Sequence, residues 1–441
     1  MNYQELIDNT DANMVVDGMN IIKANYLANG EFLPNTNPLK IDSFNSIKNH
    51  FTITNPFKIN TDDLKAYMAT SVITHCFDGW LYLSHAIDSL LKGDKGIAIH
   101  LAYYSELRGT LSFLARQGIS VNNRNNLGLN NTGILNSSTN GGTHIATWKY
   151  LESWINSNSI NHVNLLDCFS VRSKSLNEWV GFMPSPVTPN IASQYALSWM
   201  KDWSFDIQNY ESDHIFRDTV TYQPQRLRDN SSIDFRVKFS AISNIWKFLE
   251  PNGSDKFALL DKYLFSMLIK GIYDNNIPAD SGIRFEDYVS KTFVNAGMSM
   301  DMSVNSIINS GINNILFRMA KDSAVQTPNG ELQPLNIISR ALLMLRIASG
   351  CTNNLLNTAG ITNANIDFYL NNLGNNNGHW KGATPNNFEV LWEDVVRSVE
   401  NIDELVNEPE EMILHDLYST FPEELHHFKQ VSRACFWGTC A

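Results

Sequence analysis

The longest apolar stretch of this chain is LNIISRALLMLRIASGCTNNLL, residues 335–356, directly after Pro334. Read as a helix it is apolar nearly all round, so it has no face to give to water and must be enclosed by other elements. Two arginines, Arg340 and Arg346, sit inside it. Six residues apart, they project on different faces of the helix. One is expected to leave the core and the other to pair with an acid, with Glu106 as the candidate partner. A buried Arg–Glu pair is more often architecture than catalysis.

The rest of the chain supplies what such a helix needs. Of 441 residues, 43% are hydrophobic and 11% aromatic, including 10 Trp and 23 Phe, enough apolar surface for two or three core-forming units. Helical spacing recurs at DDLKAYMATSVITHCFDGWLYLSHAIDSLLKG (62–93), at about 96–117 ahead of Gly118, at THIATWKYLESWIN (143–156), and after Thr188-Pro189, a cap and first turn. It returns at about 231–250, 255–273, 303–319 and 386–406. The expected fold is mainly α: one or more multi-helix bundles with a small mixed α/β N-terminal region. The segments are 1–65 (mixed, with a weak strand signal at Phe51–Thr54), 66–230, and a helical 231–441. Residues 122–142 are almost entirely Asn, Gly, Ser and Thr and read as a long loop. Asparagine makes up about 12% of the chain, above ordinary usage. A bacterial-type, AT-rich coding bias accounts for that excess better than a prion-like tract does.

Composition also excludes. With 45 acidic and 33 basic residues the net charge is −12, so binding of nucleic acid over the whole surface is not expected, although a local basic contact is left open. The five cysteines (Cys76, Cys168, Cys351, Cys435, Cys440) are sparse and odd in number and read as reduced, buried thiols. No signal peptide and no run of about 18 uninterrupted apolar residues is visible, so a cytoplasmic protein without a membrane span is expected.

The segment HLAYYSELRGTLSFLARQGISVNNRNN, beginning at His100, concentrates the polar chemistry. On a helix His100, Tyr104 and Arg108 are spaced by four and share one face. Arg124 and, beyond the Asn-rich stretch, His144 complete a set of candidate catalytic residues able to grip a phosphate or move a proton. Glu106 is two residues from Arg108 and must look elsewhere for its cation. The layout GWLYLSHAIDSLLKGDKGIAIHLAYYSELRGTLSFLARQGI resembles the helical hairpin of HEPN-type proteins over about residues 75–120. That resemblance implies either a ribonuclease of a toxin or antiviral system or an inactive scaffold. Nuclease members place a His four to six residues after an Arg, and no Arg of this chain has one at that spacing.

Near the C-terminus, Glu411 with His415 and Glu424 with His427 are spaced as metal ligands could be. A di-iron bundle needs two such motifs and two further Glu, so a solvated acidic helix face is the cheaper explanation. No P-loop, no G-x-S-x-G elbow, no HExxH and no paired CxxC is present. No cofactor and no metal are expected. Three functions follow in order: a degenerate HEPN-like subunit that binds protein partners in a bacterial antiviral or toxin-type complex; a metal-independent ribonuclease built on the His100/Tyr104/Arg108 face; and a metal-dependent hydrolase built on the C-terminal His/Glu cluster.

Overall fold

The structure, a computed structural model, describes residues 1–52, 58–157, 163–185, 187–203, 214–215, 217–218, 235–253, 255–278, 280–298, 315–321, 334–407 and 418–440. Helices α1 (Tyr3–Asn9), α2 (Asn13–Asn25), α3 (Pro38–Ile41) and α4 (Ser43–Phe51) lead into two long ones, α5 (Thr61–Leu91) and α6 (Lys95–Arg116). Strands β1 (Ile119–Ser120), β2 (Asn125–Asn130) and β3 (Gly133–Ser138) precede α7 (Thr143–Asn156) and α8 (Val163–Leu166). A ribbon of β4 (Ser170–Val171) and β5 (Lys174–Ser175) is followed by α9 (Leu176–Phe182) and α10 (Pro189–Asp202). The second half adds α11 (Phe235–Leu249), α12 (Ala258–Asn276), α13 (Phe285–Asn295), α14 (Ile315–Lys321) and α15 (Pro334–Thr358). It closes with α16 (Asp367–Asn376), α17 (Val390–Asn407), α18 (Pro422–Phe428) and α19 (Arg433–Thr439). The fold is mainly α, and among the described residues no helix is long and apolar enough to cross a membrane.

Local chemistry explains where α5 and α6 begin. The Asn60 side chain accepts the Asp63 N–H at 2.7 Å, and Asp62 and Asp63 lie in the first turn, where a carboxylate meets the positive end of the helix dipole. Asp94 caps α6 through the Ile97 N–H at 3.0 Å, after Gly93 has reversed the chain at φ +83°. Gly118 ends that helix at φ +80°.

Helices α5, α6 and α15 pack together as the centre of the molecule, so segments far apart in sequence share one core. From Ile337 to Thr352 every residue of α15 is buried. Small residues set the close approach: a Cβ on Gly79 of α5 would lie 2.6 Å from Leu345, and one on Gly109 of α6 would lie 3.2 Å from Met344. Hydroxyls bind the trio further. Ser105 donates to the Gly79 carbonyl at 2.8 Å, Ser112 to that of Val72 at 2.6 Å, and the Trp80 indole donates to Ser349 at 2.8 Å.

Both arginines of α15 stay inside, which corrects the expectation that one would leave. Arg340 Nε lies 3.7 Å from Glu106 Oε1, with both side chains almost wholly buried. Arg346 forms a two-pronged pair with Asp261 of α12, at 2.7 and 2.6 Å, and also donates to the Cys168 carbonyl at 3.1 Å. With α15 enclosed on all sides, a guanidinium has no route to water and each must meet a carboxylate within.

Residues 122–142 are not a long loop. β2 and β3 form an antiparallel hairpin paired from Asn125–Ser138 to Asn130–Gly133, with β1 added on the other edge of β2. Leu127 and Leu129 alternate into the core, and Gly128 allows α1 to approach, since a Cβ there would lie 2.7 Å from Leu6. The buried Asn126 donates to Thr139 at 3.1 Å and accepts the Asn122 N–H at 2.9 Å. The small mixed layer is where α1 and α4 meet this sheet. Its strands come from 119–138, while the N-terminal segment itself is helical where described: Phe51 ends α4, and residues 53 and 54 lie outside the described residues. Residues 231–234 and 303–314 of the expected helices also lie outside them.

Asp261→Ala leaves the Arg346 guanidinium buried without its carboxylate, which should cost about 3–5 kcal/mol of stability. The expected outcome is a lower urea midpoint; a midpoint equal to that of the parent chain contradicts the assignment.

Candidate functional site

A cluster of aromatic, imidazole and guanidinium groups forms where α6 passes the start of α7. His100, Tyr103 and Tyr104 come from α6, His144 from the first turn of α7, and His214, Arg217 and Asp218 from the helical residues 214–215 and 217–218. Tyr103 Oη lies 3.1 Å from His144 Nδ1, with the two rings stacked at 5.7 Å. His144 and His214 have ring centres 5.8 Å apart, and His100 and Tyr104 4.9 Å. The Arg217 guanidinium sits 5.3 Å from the centre of the Tyr103 ring and 5.9 Å from that of Tyr104, an attraction of cation to ring quadrupole. Asp218 meets Arg217 at 3.0 Å and His214 Nδ1 at 3.6 Å.

The electrostatics follow from burial beside a fixed positive charge. Burial, then Arg217 and His214, lower the His144 imidazole to about 4, an effect that Asp218 only partly offsets. Burial and Arg217 lower His100, and burial lowers His214 against the pull of Asp218. The three imidazoles are therefore neutral near pH 7 and half-buried around one guanidinium. An arriving anion would raise their affinity for protons, because it cancels the positive potential that suppresses it.

This arrangement redistributes the candidates named from sequence. His100, Tyr104 and His144 are brought together. Arg108 turns to α5, donating to His75 Nδ1 at 2.8 Å and lying 3.8 Å from Asp78. His75 is lowered to about 3 by burial and then by Arg108. The shared face of His100, Tyr104 and Arg108 thus splits: its first two members join the cluster and the third forms a separate pair. Arg124 is exposed at the turn before β2, and the arginine of the cluster is Arg217. Tyr103 joins the cluster and supplies the hydroxyl beside His144. The missed signal was short: His214-Ile-Phe-Arg217-Asp218 puts a His and an Arg three apart, in the reverse of the order expected from the HEPN pattern.

Of the C-terminal metal candidates, Glu424 and His427 lie among the described residues. Among the described residues no group of three His, Cys, Asp or Glu side chains is placed to hold a metal ion. Glu424 accepts from Asn401 at 3.3 Å, and His427 Nδ1 lies 3.2 Å from the Ser398 hydroxyl; Glu411 and His415 lie outside the described residues. Comparison with protein-family models, curated proteins and solved structures gave no match.

His75 and His144, together with the buried His379 (lowered to about 3 by burial, then Arg433), bind protons less tightly folded than unfolded. As the pH falls below about 6.5 the unfolded chain takes up protons that these folded imidazoles refuse, so their contribution lowers stability until about pH 3–4 and then levels off. The expected outcome is a melting temperature that declines from pH 7 to pH 4, less steeply in His144→Asn. A flat profile across that window contradicts the neutral state of these imidazoles.

Proposed function

We propose that the cluster around His144 and Arg217 binds a phosphodiester and cleaves RNA without a metal ion. The observation that carries this reading is the convergence of three neutral imidazoles on one buried guanidinium, with each of two Nδ1 atoms already engaged, His144 by Tyr103 and His214 by Asp218. A neutral imidazole is a proton acceptor. His144 takes the proton from a ribose 2′-hydroxyl as its oxygen attacks phosphorus. His214, whose proton affinity Asp218 supports and the bound phosphate increases, donates to the departing 5′-oxygen. Arg217 offers a forked, permanently charged donor to the phosphoryl oxygens as negative charge builds. The overall charge of −12 is compatible with this chemistry, since a single local positive site suffices to hold one phosphate.

A second reading, a HEPN-like subunit that docks a protein partner in an antiviral or toxin-type complex, is favoured by one specific feature. Ile97, Ile145 and Ile215 are exposed, and they lie next to or one turn from His100, His144 and His214. Exposed apolar side chains around a polar site suit a protein partner as well as a nucleobase.

The two readings separate in one assay. Purified protein is incubated with end-labelled tRNA and single-stranded RNA in excess EDTA. The cleavage reading expects products that survive chelation and fall by about 100-fold or more in His144→Ala and in Arg217→Ala, in line with loss of an acid–base group. No cleavage under any condition, with a protein recovered from the source cell that an Ile145→Asp/Ile215→Asp variant no longer binds, favours the partner reading. Cleavage abolished by chelator and restored by Mn²⁺ contradicts both.

A further inference from the structure

Away from this cluster, two cysteines 183 positions apart in sequence meet inside the core. Cys168, just before β4, and Cys351, on α15, place their sulfurs 3.4 Å apart, and both residues are buried. Their meeting is held by backbone. A Cβ on Gly350 would lie 2.2 Å from the Cys168 carbonyl oxygen and 2.8 Å from the Cys168 Cβ, so only a glycine lets this segment lie directly on the helix. Arg346 then pins the same carbonyl at 3.1 Å, and the Cys168 N–H is held by the Leu165 carbonyl at 3.1 Å. The pair is thus fixed against two rigid elements by contacts that do not involve the sulfurs.

We propose that Cys168 and Cys351 form a reversible oxidation site that a small peroxide converts to a disulfide. The sulfurs need only approach by a little over 1 Å to reach the bonded separation of about 2.05 Å. The pair is also asymmetric. The hydrogen bond between the sulfurs holds the Cys351 thiol below its ordinary range, and that same bond, then burial, raise the Cys168 thiol well above its own; the Arg116 and Arg346 guanidiniums favour the thiolate at either sulfur. The attack is assigned to Cys351, an order that the single-cysteine variants below test. Its sulfur takes the distal oxygen of the peroxide as the O–O bond breaks, giving a sulfenic acid and hydroxide, and that hydroxide takes the Cys168 proton to become water. The Cys168 thiolate then attacks the Cys351 sulfur. The hydroxide expelled takes up the proton Cys351 had released, so two thiols and one hydrogen peroxide yield one disulfide and two waters. Burial restricts the oxidant to a molecule of that size.

The bond would tie the segment before β4 to α15 beside the Arg346–Asp261 pair, at the centre of the fold. The first test uses the reduced parent chain, for which no variant need fold. After brief exposure to hydrogen peroxide, the remaining thiols are alkylated in denaturant and the digest is mapped by mass spectrometry. The expected result is a peptide pair joining Cys168 to Cys351, lighter by two hydrogens and released by dithiothreitol. Oxidation confined to Cys76, Cys435 or Cys440, or higher acids at Cys168 or Cys351 without the cross-link, overturns the proposal. So does a folded chain whose five thiols all stay reduced. In Cys168→Ala, which removes the resolving thiol, dimedone added with the denaturant after the peroxide should label Cys351. Labelling of Cys168 in Cys351→Ala, with none at Cys351 in Cys168→Ala, overturns the order of attack.

Discussion

The structure depends on enclosing a helix that has no outward face. From Ile337 to Thr352 α15 is buried on every side, and its two guanidiniums can be accommodated only because carboxylates reach them from two other helices, Glu106 on α6 and Asp261 on α12. Such pairs are weak evidence of net stability, because desolvation offsets most of their attraction. Their effect here is on register. Arg346 fits one rotation and one height of α15, the one that also sets Gly350 under the Cys168 carbonyl and Leu345 against Gly79. The helix that makes the core is thus also the one that fixes where its neighbours sit.

The same logic positions the candidate site. α6 is held on its inner side by Glu106, Ser105 and Ser112, which leaves His100 and Tyr104 toward the side where α7 begins and where His214 and Arg217 are placed. A single polar-rich helix therefore carries two distinct jobs on two faces. Its buried acid is structural, and its imidazole and tyrosines belong to a cluster in which burial, then one arginine, lowers the proton affinity of His100 and His144.

Much of this was legible in the sequence. The helix class, the span of α15 and the cap at Thr188-Pro189 follow from periodicity and turn residues, and the cost of burying charge pointed to Glu106 as an acid for one of the two arginines, without telling which. The hairpin at 125–138 was hidden by its composition: Asn and Gly are poor strand formers, and only Leu127, Leu129 and, opposite Leu129, Ile134 mark the alternation of one face. Asp261 was not identifiable as the partner of Arg346, because nothing local in sequence relates residues 85 positions apart. The site was half legible. His100 and Tyr104 were found through spacing on one helix, whereas Arg217 belongs to a different segment and meets them only through tertiary packing. Arg108 was grouped with them by spacing alone, and the nearby His75 of α5 claimed it.

What unites the site is the claim that burial and Arg217 hold His144 neutral, able to accept a proton, and that a bound phosphate raises the proton affinity of the imidazoles around it. Histidine-selective NMR, following the ¹³Cε1 resonances as pH is varied with and without a ribodinucleoside phosphate bearing a 2′-deoxy block to cleavage, tests it most directly. The account predicts that His144 titrates at about 4 in the free protein and that its midpoint and that of His214 both rise when the ligand is bound. An ordinary His144 midpoint near 6.5 in the free protein, or midpoints that the ligand leaves unmoved, would contradict it.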